Sequence, residues 1–242
     1  MNGWDAFDAW LSARDMPLDL WLRDDDAGDD SPELARLLHL TEAHAVPVAL
    51  AVVPAWLTTA GARRIARAGR ATVLQHGIAH LDHAAPGEKR IELGGQASTE
   101  DLLPALAAGR ERLDDAFGER FLPVVVPPWN RIAAAVREAL PGAGFTGLSL
   151  FGGARGEPAS GFRRIDSHVD PVAWRVGRRH VGDEAALAAL RDAAAANLGP
   201  VGILSHHRTM DTATWGFLEL CLARLGSHPG VVWHSANALF AA

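Results

Sequence analysis

Short, nearly continuous apolar runs recur along this chain, and helical stretches with one polar face separate many of them. The runs are Leu18–Arg23, Pro47–Val53, Ala71–Gln75, Leu122–Val126, Thr146–Leu150, Phe162–Ser167, Val201–Ser205 and Val231–Trp233. A strand apolar at nearly every position is covered on both faces, which is the condition of a parallel sheet wrapped by helices. The intervening stretches carry helix starts. Ser31 precedes Pro32 and Glu33, Ser98 or Thr99 precedes Leu102 and Leu106, Asp183 precedes Ala185–Leu198, and Asp211 precedes Thr212–Leu225. Seven to eight such units in 242 residues predict an α/β fold, a closed or partly closed parallel barrel.

Composition sets the outer bounds. With 48% hydrophobic residues the chain can bury a sizeable core, and the expectation is one catalytic domain over 1–242 with an N-terminal helix, 2–15, packed on it. A net charge of −6 gives no general affinity for nucleic acid. The longest apolar stretch, Val46 to Leu57, is broken by Pro47 and Pro54 and is too short to insert into a bilayer. Cys221 is the only cysteine, so no intrachain disulfide or multi-cysteine metal site can form. The acidic start of the sequence lacks the basic and apolar segments of an export signal, and a cytoplasmic location is expected.

In parallel α/β folds the working groups follow the C-terminal ends of strands. Asp24, Asp25 and Asp26 follow the first run, and His76 and His80 follow the third. Pro127, Pro128, Trp129, Asn130 and Arg131 follow the fourth, His168 and Asp170 the sixth, and His206 and His207 the seventh. The loops at the opposite end, such as 68–70 and 142–144, carry few such groups. Eleven histidines scattered over this length give about half of one His-x-x-x-His pair by chance, so that spacing alone decides nothing. Combined with a carboxylate at a neighbouring strand end it supplies the ligand types of a zinc-like site. The competing structural readings are helix-capping aspartates, solvated histidines and a rigid Pro-Pro-Trp turn.

Taken in order, these motifs resemble the NodB-homology polysaccharide deacetylases, over roughly Leu20 to His207. The resemblance implies a distorted β/α barrel and removal of acetyl groups from sugars with one divalent metal, zinc being the favoured identity. Its acidic motif is similar to Arg23-Asp24-Asp25-Asp26, which implies Asp25 as general base and Asp26 as metal ligand, with Asp24 the fallback if the register slips. His76 and His80 would complete the metal site. Trp129 would offer its backbone N–H to the oxyanion, and His206, in Leu204-Ser205-His206, would protonate the leaving amine. The acidic-and-Trp motif resembles Asp170 to Trp174; substrate contacts are expected from Trp129, Arg131, His168, Asp170 and Trp174.

The chain departs from that pattern at three places. Ala27 stands where the family has glycine, Gly77 where it has serine or threonine, and Val126 where it has the arginine that pairs with the base. Arg131 or Arg23 would have to supply that cation. The expected activity is hydrolytic removal of an acetyl group from an N-acetylated sugar or glycan precursor. In that chemistry a metal-activated water attacks, an aspartate accepts its proton and a histidine protonates the amine. The alternatives are another amide or ureide C–N hydrolase on the same scaffold and a non-catalytic barrel that binds carbohydrate. The expected partner is a small-molecule or glycan substrate, and the oligomeric state is left open.

Overall fold

The structure, a computed structural model, describes residues 3–152, 161–196 and 199–241. Its main sheet has eight strands: β1 (Leu18–Ala27), β2 (Val48–Val52), β3 (Ala71–His76), β4 (Phe121–Val126), β5 (Gly147–Leu148), β6 (Arg163–Arg164), β9 (Val201–Ser205) and β10 (Val231–Trp233). All neighbours in it pair in parallel. The order runs from β1 through β2, β3, β4 and β5 to β6, with β9 also on β1 and β10 on the start of β1. Past β6 the chain reaches β9, where Val169 bridges Ile203 and Leu204 donates its N–H to Val169 O. That contact curls the sheet into a distorted barrel. Gly202 makes the approach possible, because a Cβ there would stand 2.7 Å from Ser167 Cα and 2.8 Å from Asp166 O.

Side-chain alternation sorts the core into layers. Leu20 and Leu22 point outward with Leu50, Val52, Val73 and Ile203 against the helices. Trp21 points inward among Ala49, Ala51, Leu74, Val124 and Val126. The short helix α8 (Ala236–Phe240) plugs that interior, with Phe240 edge-on to Trp21 at 6.3 Å. The outer helices begin where their caps dictate. Ser31 Oγ accepts from Leu34 N in α2 (Pro32–Ala43), Ser98 Oγ from Asp101 N in α4 (Thr99–Phe117), and Asp211 from Thr214 N in α7 (Thr212–Leu225).

Four sequence expectations are corrected. Helix α6 (Asp183–Ala195) starts at Asp183 itself, with Gly182 as its cap, because the Asp183 carboxylate is taken by His180 Nε2 and Trp4 Nε1. The expected end of that helix, 197–198, lies outside the described residues. The N-terminal helix α1 spans Gly3–Ser12 rather than 2–15; residues 1–2 lie outside the described ones, and Pro17 disfavours helical backbone at Met16 just beyond. The fifth and sixth strands shorten to two residues each, as the Asp166 carboxylate accepts Leu150 N–H in place of a ladder carbonyl. An antiparallel hairpin, β7 (Val172–Ala173) with β8 (Arg179–His180), replaces what the sequence pattern leaves without regular structure; its tip carries Trp174 and Arg178. Helices α3 (Thr59–Arg67) and α5 (Ala134–Ala139) complete the outer layer.

Candidate active site

Strand β1 does not stop at Arg23. It continues through the three aspartates to Ala27, still paired with β2, but between Asp24 and Ala27 it advances one residue more than β2 does. Asp26 absorbs this bulge with φ of +72°. The extra residue breaks the strict alternation, so adjacent Asp25 and Asp26 both line one cleft at the C-terminal mouth of the barrel. Asp24 goes elsewhere. Fully buried, it accepts from Ser205 Oγ at 2.6 Å and His207 N at 3.0 Å and contacts the His207 ring. It ties the end of β1 to the end of β9. Burial opposes charge on His207, but the Asp24 carboxylate outweighs it and raises the imidazole pKa.

Asp26, His76 and His80 converge, each offering a ligand atom within 4.8 Å of the others. His76 Nε2 lies 3.2 Å and His80 Nε2 3.3 Å from Asp26 Oδ1. His76 Nδ1 contacts Val126 O at 2.9 Å, and a carbonyl can only accept, so Nδ1 carries the proton and Nε2 presents its lone pair. Asp26 Oδ1 is buried and makes no hydrogen bond among the described residues despite those two nitrogens. An orphaned carboxylate oxygen facing two imidazole nitrogens is what a divalent cation would satisfy, and the donor set fits zinc. Burial opposes the Asp26 charge, yet His76 and His80 hold its pKa well below the usual carboxylate range. Burial also opposes a charged His76, but Asp25 and Asp26 prevail and raise its pKa, so cation and proton compete for one lone pair.

The loop carrying both histidines is held by a residue outside the motifs. Glu92, 1% exposed, accepts backbone N–H groups from Ile78 at 3.0 Å, Ala79 at 2.7 Å and Leu81 at 3.0 Å. Gly77 leaves room for it: φ is +58°, and a Cβ would fall 1.9 Å from Glu92 Oε2 and 2.6 Å from Pro128 Cδ. A serine or threonine cannot occupy that position here. The available signal is Ile91-Glu92-Leu93, an acid between two aliphatic residues within the glycine-rich stretch 84–96.

Asp25 is 1% exposed and held by Arg23, which lies two residues earlier on the same strand face. Arg23 Nε donates to Asp25 Oδ1 at 2.9 Å and Nη2 to Asp25 Oδ2 at 3.1 Å. The same guanidinium donates to Ser149 Oγ, Leu150 O and Asn130 Oδ1, which occupies all five of its N–H groups. Arg131 does not fill this place; its Nη1 donates to Arg90 O at the cleft edge. His206 Nε2 is 3.9 Å from Asp25 Oδ2, and its Nδ1 is buried with no partner among the described residues. Trp174 stands edge-on to the His206 ring at 4.7 Å and donates Nε1–H to Asp170 Oδ2 at 2.7 Å. Burial pushes the Asp170 pKa up, against the pull of His206, Trp174 and the Val172 N–H. On the opposite side Trp129, at φ +54° after two prolines, packs edge-on to His80 at 4.5 Å.

The cleft holds about 810 Å³, and Asp25, Asp26, His76, His80, Trp129, Arg131, Asp170, Trp174 and His206 all line it. His168, expected at the substrate, is not among its lining residues. Its Nδ1 accepts the Gly202 N–H at 3.0 Å, so it serves the barrel closure, and burial lowers its pKa. Left-handed backbone at Asp26, His80, Trp129 and Asn130 concentrates at this mouth, the kind of strain that persists where surrounding structure over-determines a site.

No protein-family profile matches the sequence, and no curated protein matches it. Solved structures do. A family 4 carbohydrate esterase from Streptomyces lividans, solved with acetate, superposes with a TM-score of 0.59 at 15% identity, covering 90% of this chain and 91% of that one. The Bc1960 peptidoglycan N-acetylglucosamine deacetylase gives 0.57 at 16% identity, over 92% and 87%. A family 4 pseudoenzyme from Bacillus anthracis, BA3943, gives 0.60 at 14% identity, over 92% and 66%. The chain has the fold of the family 4 carbohydrate esterases, the NodB-like polysaccharide deacetylases.

Proposed function

We propose that this protein is a metal-dependent deacetylase that hydrolyses the acetamido group of an N-acetylated sugar or glycan precursor. The observation that carries this reading is the division of adjacent carboxylates: Asp26 faces the imidazole pair at 3.2 and 3.3 Å, while Asp25 beside it is held by Arg23. Asp26, His76 and His80 would hold the cation. The chemistry supplied by a divalent ion there is acidification of a water and polarisation of the amide carbonyl.

The remaining steps belong to the chain's own groups. Asp25 keeps lone pairs beyond those given to Arg23, and these take the proton of the attacking water. The backbone N–H of Trp129 would donate to the developing oxyanion, an interaction that strengthens as charge builds on the oxygen. His206 hands its Nε2 proton to the departing nitrogen as the C–N bond breaks, and acetate and a free amine result. Trp129 and Trp174 offer indole faces on either side, and a sugar ring stacks on such faces through its C–H groups.

The test pairs metal content with acetate release for the wild type, Asp25→Asn and Asp26→Asn. About one divalent ion per chain, kept in Asp25→Asn and lost in Asp26→Asn, with acetate release abolished in Asp26→Asn and lowered about 10²–10⁴-fold in Asp25→Asn, supports the proposal. Undiminished acetate release from Asp25→Asn would sink it. Ammonia in place of acetate would assign the site to another C–N hydrolysis.

A further inference from the structure

The charge around the cleft is layered, and its outer layer has no use in the chemistry above. Three carboxylates line the cleft and three guanidiniums, Arg90, Arg131 and Arg178, line it with them, in a chain whose net charge is −6. Each carboxylate is accounted for within the site: Asp25 on Arg23, Asp26 on the imidazoles, Asp170 on the N–H groups of Trp174 and Val172. The guanidiniums are not. Among the described residues Arg131 donates only to the Arg90 carbonyl, and Arg178 pairs with no carboxylate. Arg90 has Asp82 at 3.9 Å, a partner it shares with solvent. Two of the three lie over the aromatic walls, Arg90 at 5.9 Å from the Trp129 ring and Arg178 at 5.9 Å from the Trp174 ring. A ring bound against either indole would therefore have a guanidinium at its margin.

A guanidinium presents a planar fork that matches the paired oxygens of a carboxylate or phosphate, and Arg131, half-buried, and Arg178, exposed on the hairpin tip, both turn such a fork to the cleft. We infer that the substrate is an acidic acetylated sugar, whose carboxylate or phosphate is received by Arg131 or Arg178 while the acetamido group lies at Asp25 and Asp26. The acetyl part of this inference rests on the deacetylase reading; the acid part does not.

The experiment measures the wild type, loaded with zinc, against N-acetylglucosamine, its 1-phosphate and 6-phosphate, and N-acetylmuramic acid. The deciding quantity is the acid-to-neutral ratio, taken from kcat/KM for sugars that release acetate and from calorimetric Kd for those that do not. An advantage of about tenfold or more for at least one acid sugar, equivalent to about 1.4 kcal/mol, is expected at low salt and should shrink as salt rises. The phosphate and carboxylate arms tell which acid is meant. In Arg131→Ala or Arg178→Ala the ratio should collapse toward one, and Arg131→Lys, which keeps charge but not the fork, should fall between. Equal handling of acid and neutral sugars, binding of none of them, or a preference that survives both alanine variants overturns the inference. Failure to release acetate from any sugar counts against the deacetylase reading, while the Kd ratio still judges the arginines.

Discussion

The two halves of the cleft are built on opposite plans. On the side of β3, the holding contacts run through main chain: Val126 O orients His76, the Glu92 carboxylate gathers the N–H groups of Ile78, Ala79 and Leu81 around His80, and Gly77 opens the space for Glu92. On the side of β9, side chains face side chains: Arg23 grips Asp25, Trp174 binds Asp170 and leans on His206, and His206 Nδ1 has no partner among the described residues. A cation site must hold its geometry before the cation arrives, and backbone contacts do that at little entropic cost. Groups that exchange protons need to change charge, and a fully satisfied network would resist the change.

If the halves are separate devices, they fail separately. Asp25→Asn should lower the rate of acetate release by about 10²–10⁴-fold while elemental analysis finds the metal undiminished. His80→Ala should remove both. Loss of metal in Asp25→Asn would mean that the halves form one unit. A smaller effect is expected from Glu92→Ala, which strips the histidine loop of its acceptor without touching a ligand. Metal affinity should fall about 10–100-fold, read by competition with a chromogenic chelator, with Asp25 chemistry recovered at saturating metal. Unchanged affinity would show that the loop is rigid without its carboxylate. Arg23→Lys should act on the other half: the fork is lost, the charge is kept, and kcat drops by about tenfold or more at full metal occupancy. Replacing Arg23 by alanine leaves a buried unpaired carboxylate and should cost about 3–5 kcal/mol of stability, measured by urea unfolding.

The same contrast explains what is legible in the sequence. Strands β2, β3, β4, β9 and β10 follow from continuous apolar runs, and the parallel barrel follows from them, because burial on both faces is a local property of composition. The site's loops follow from strand ends. The path of β1 through three aspartates is not legible, since a strand can carry buried acids only when partners far along the chain meet them. Here those partners are Asn130 and Ser149 around Arg23, and Ser205 and His207 around Asp24. The choice between Arg23 and Arg131 as companion of Asp25 is open in the sequence for the same reason, and the i, i+2 spacing on one strand face decides it. Glu92 escapes notice because its role depends on a glycine fifteen residues before it.

Asp170 offers the finest cut between the two plans. Its pKa is raised above the ordinary value of 3.8 chiefly by burial, although His206, Trp174 and the Val172 N–H favour its charged form. A carboxylate whose pKa is higher in the folded state binds its proton more tightly there, so the native state gains protons relative to the unfolded one. Its contribution to stability is then greatest below 3.8, declines as pH climbs from 3.8 to the raised folded value, and is flat beyond it. Asparagine has no charge to bury and can still accept through its Oδ1. Asp170→Asn should therefore lose relative to the wild type in acid and gain on it toward neutrality, with the difference in urea midpoint changing only within that window. The expected span is modest, because solvent at the cleft mouth and the Trp174 hydrogen bond both temper the penalty. A difference that stays constant with pH would mean that the carboxylate's charge is already compensated, and the β9 side would then be as fully satisfied as the β3 side.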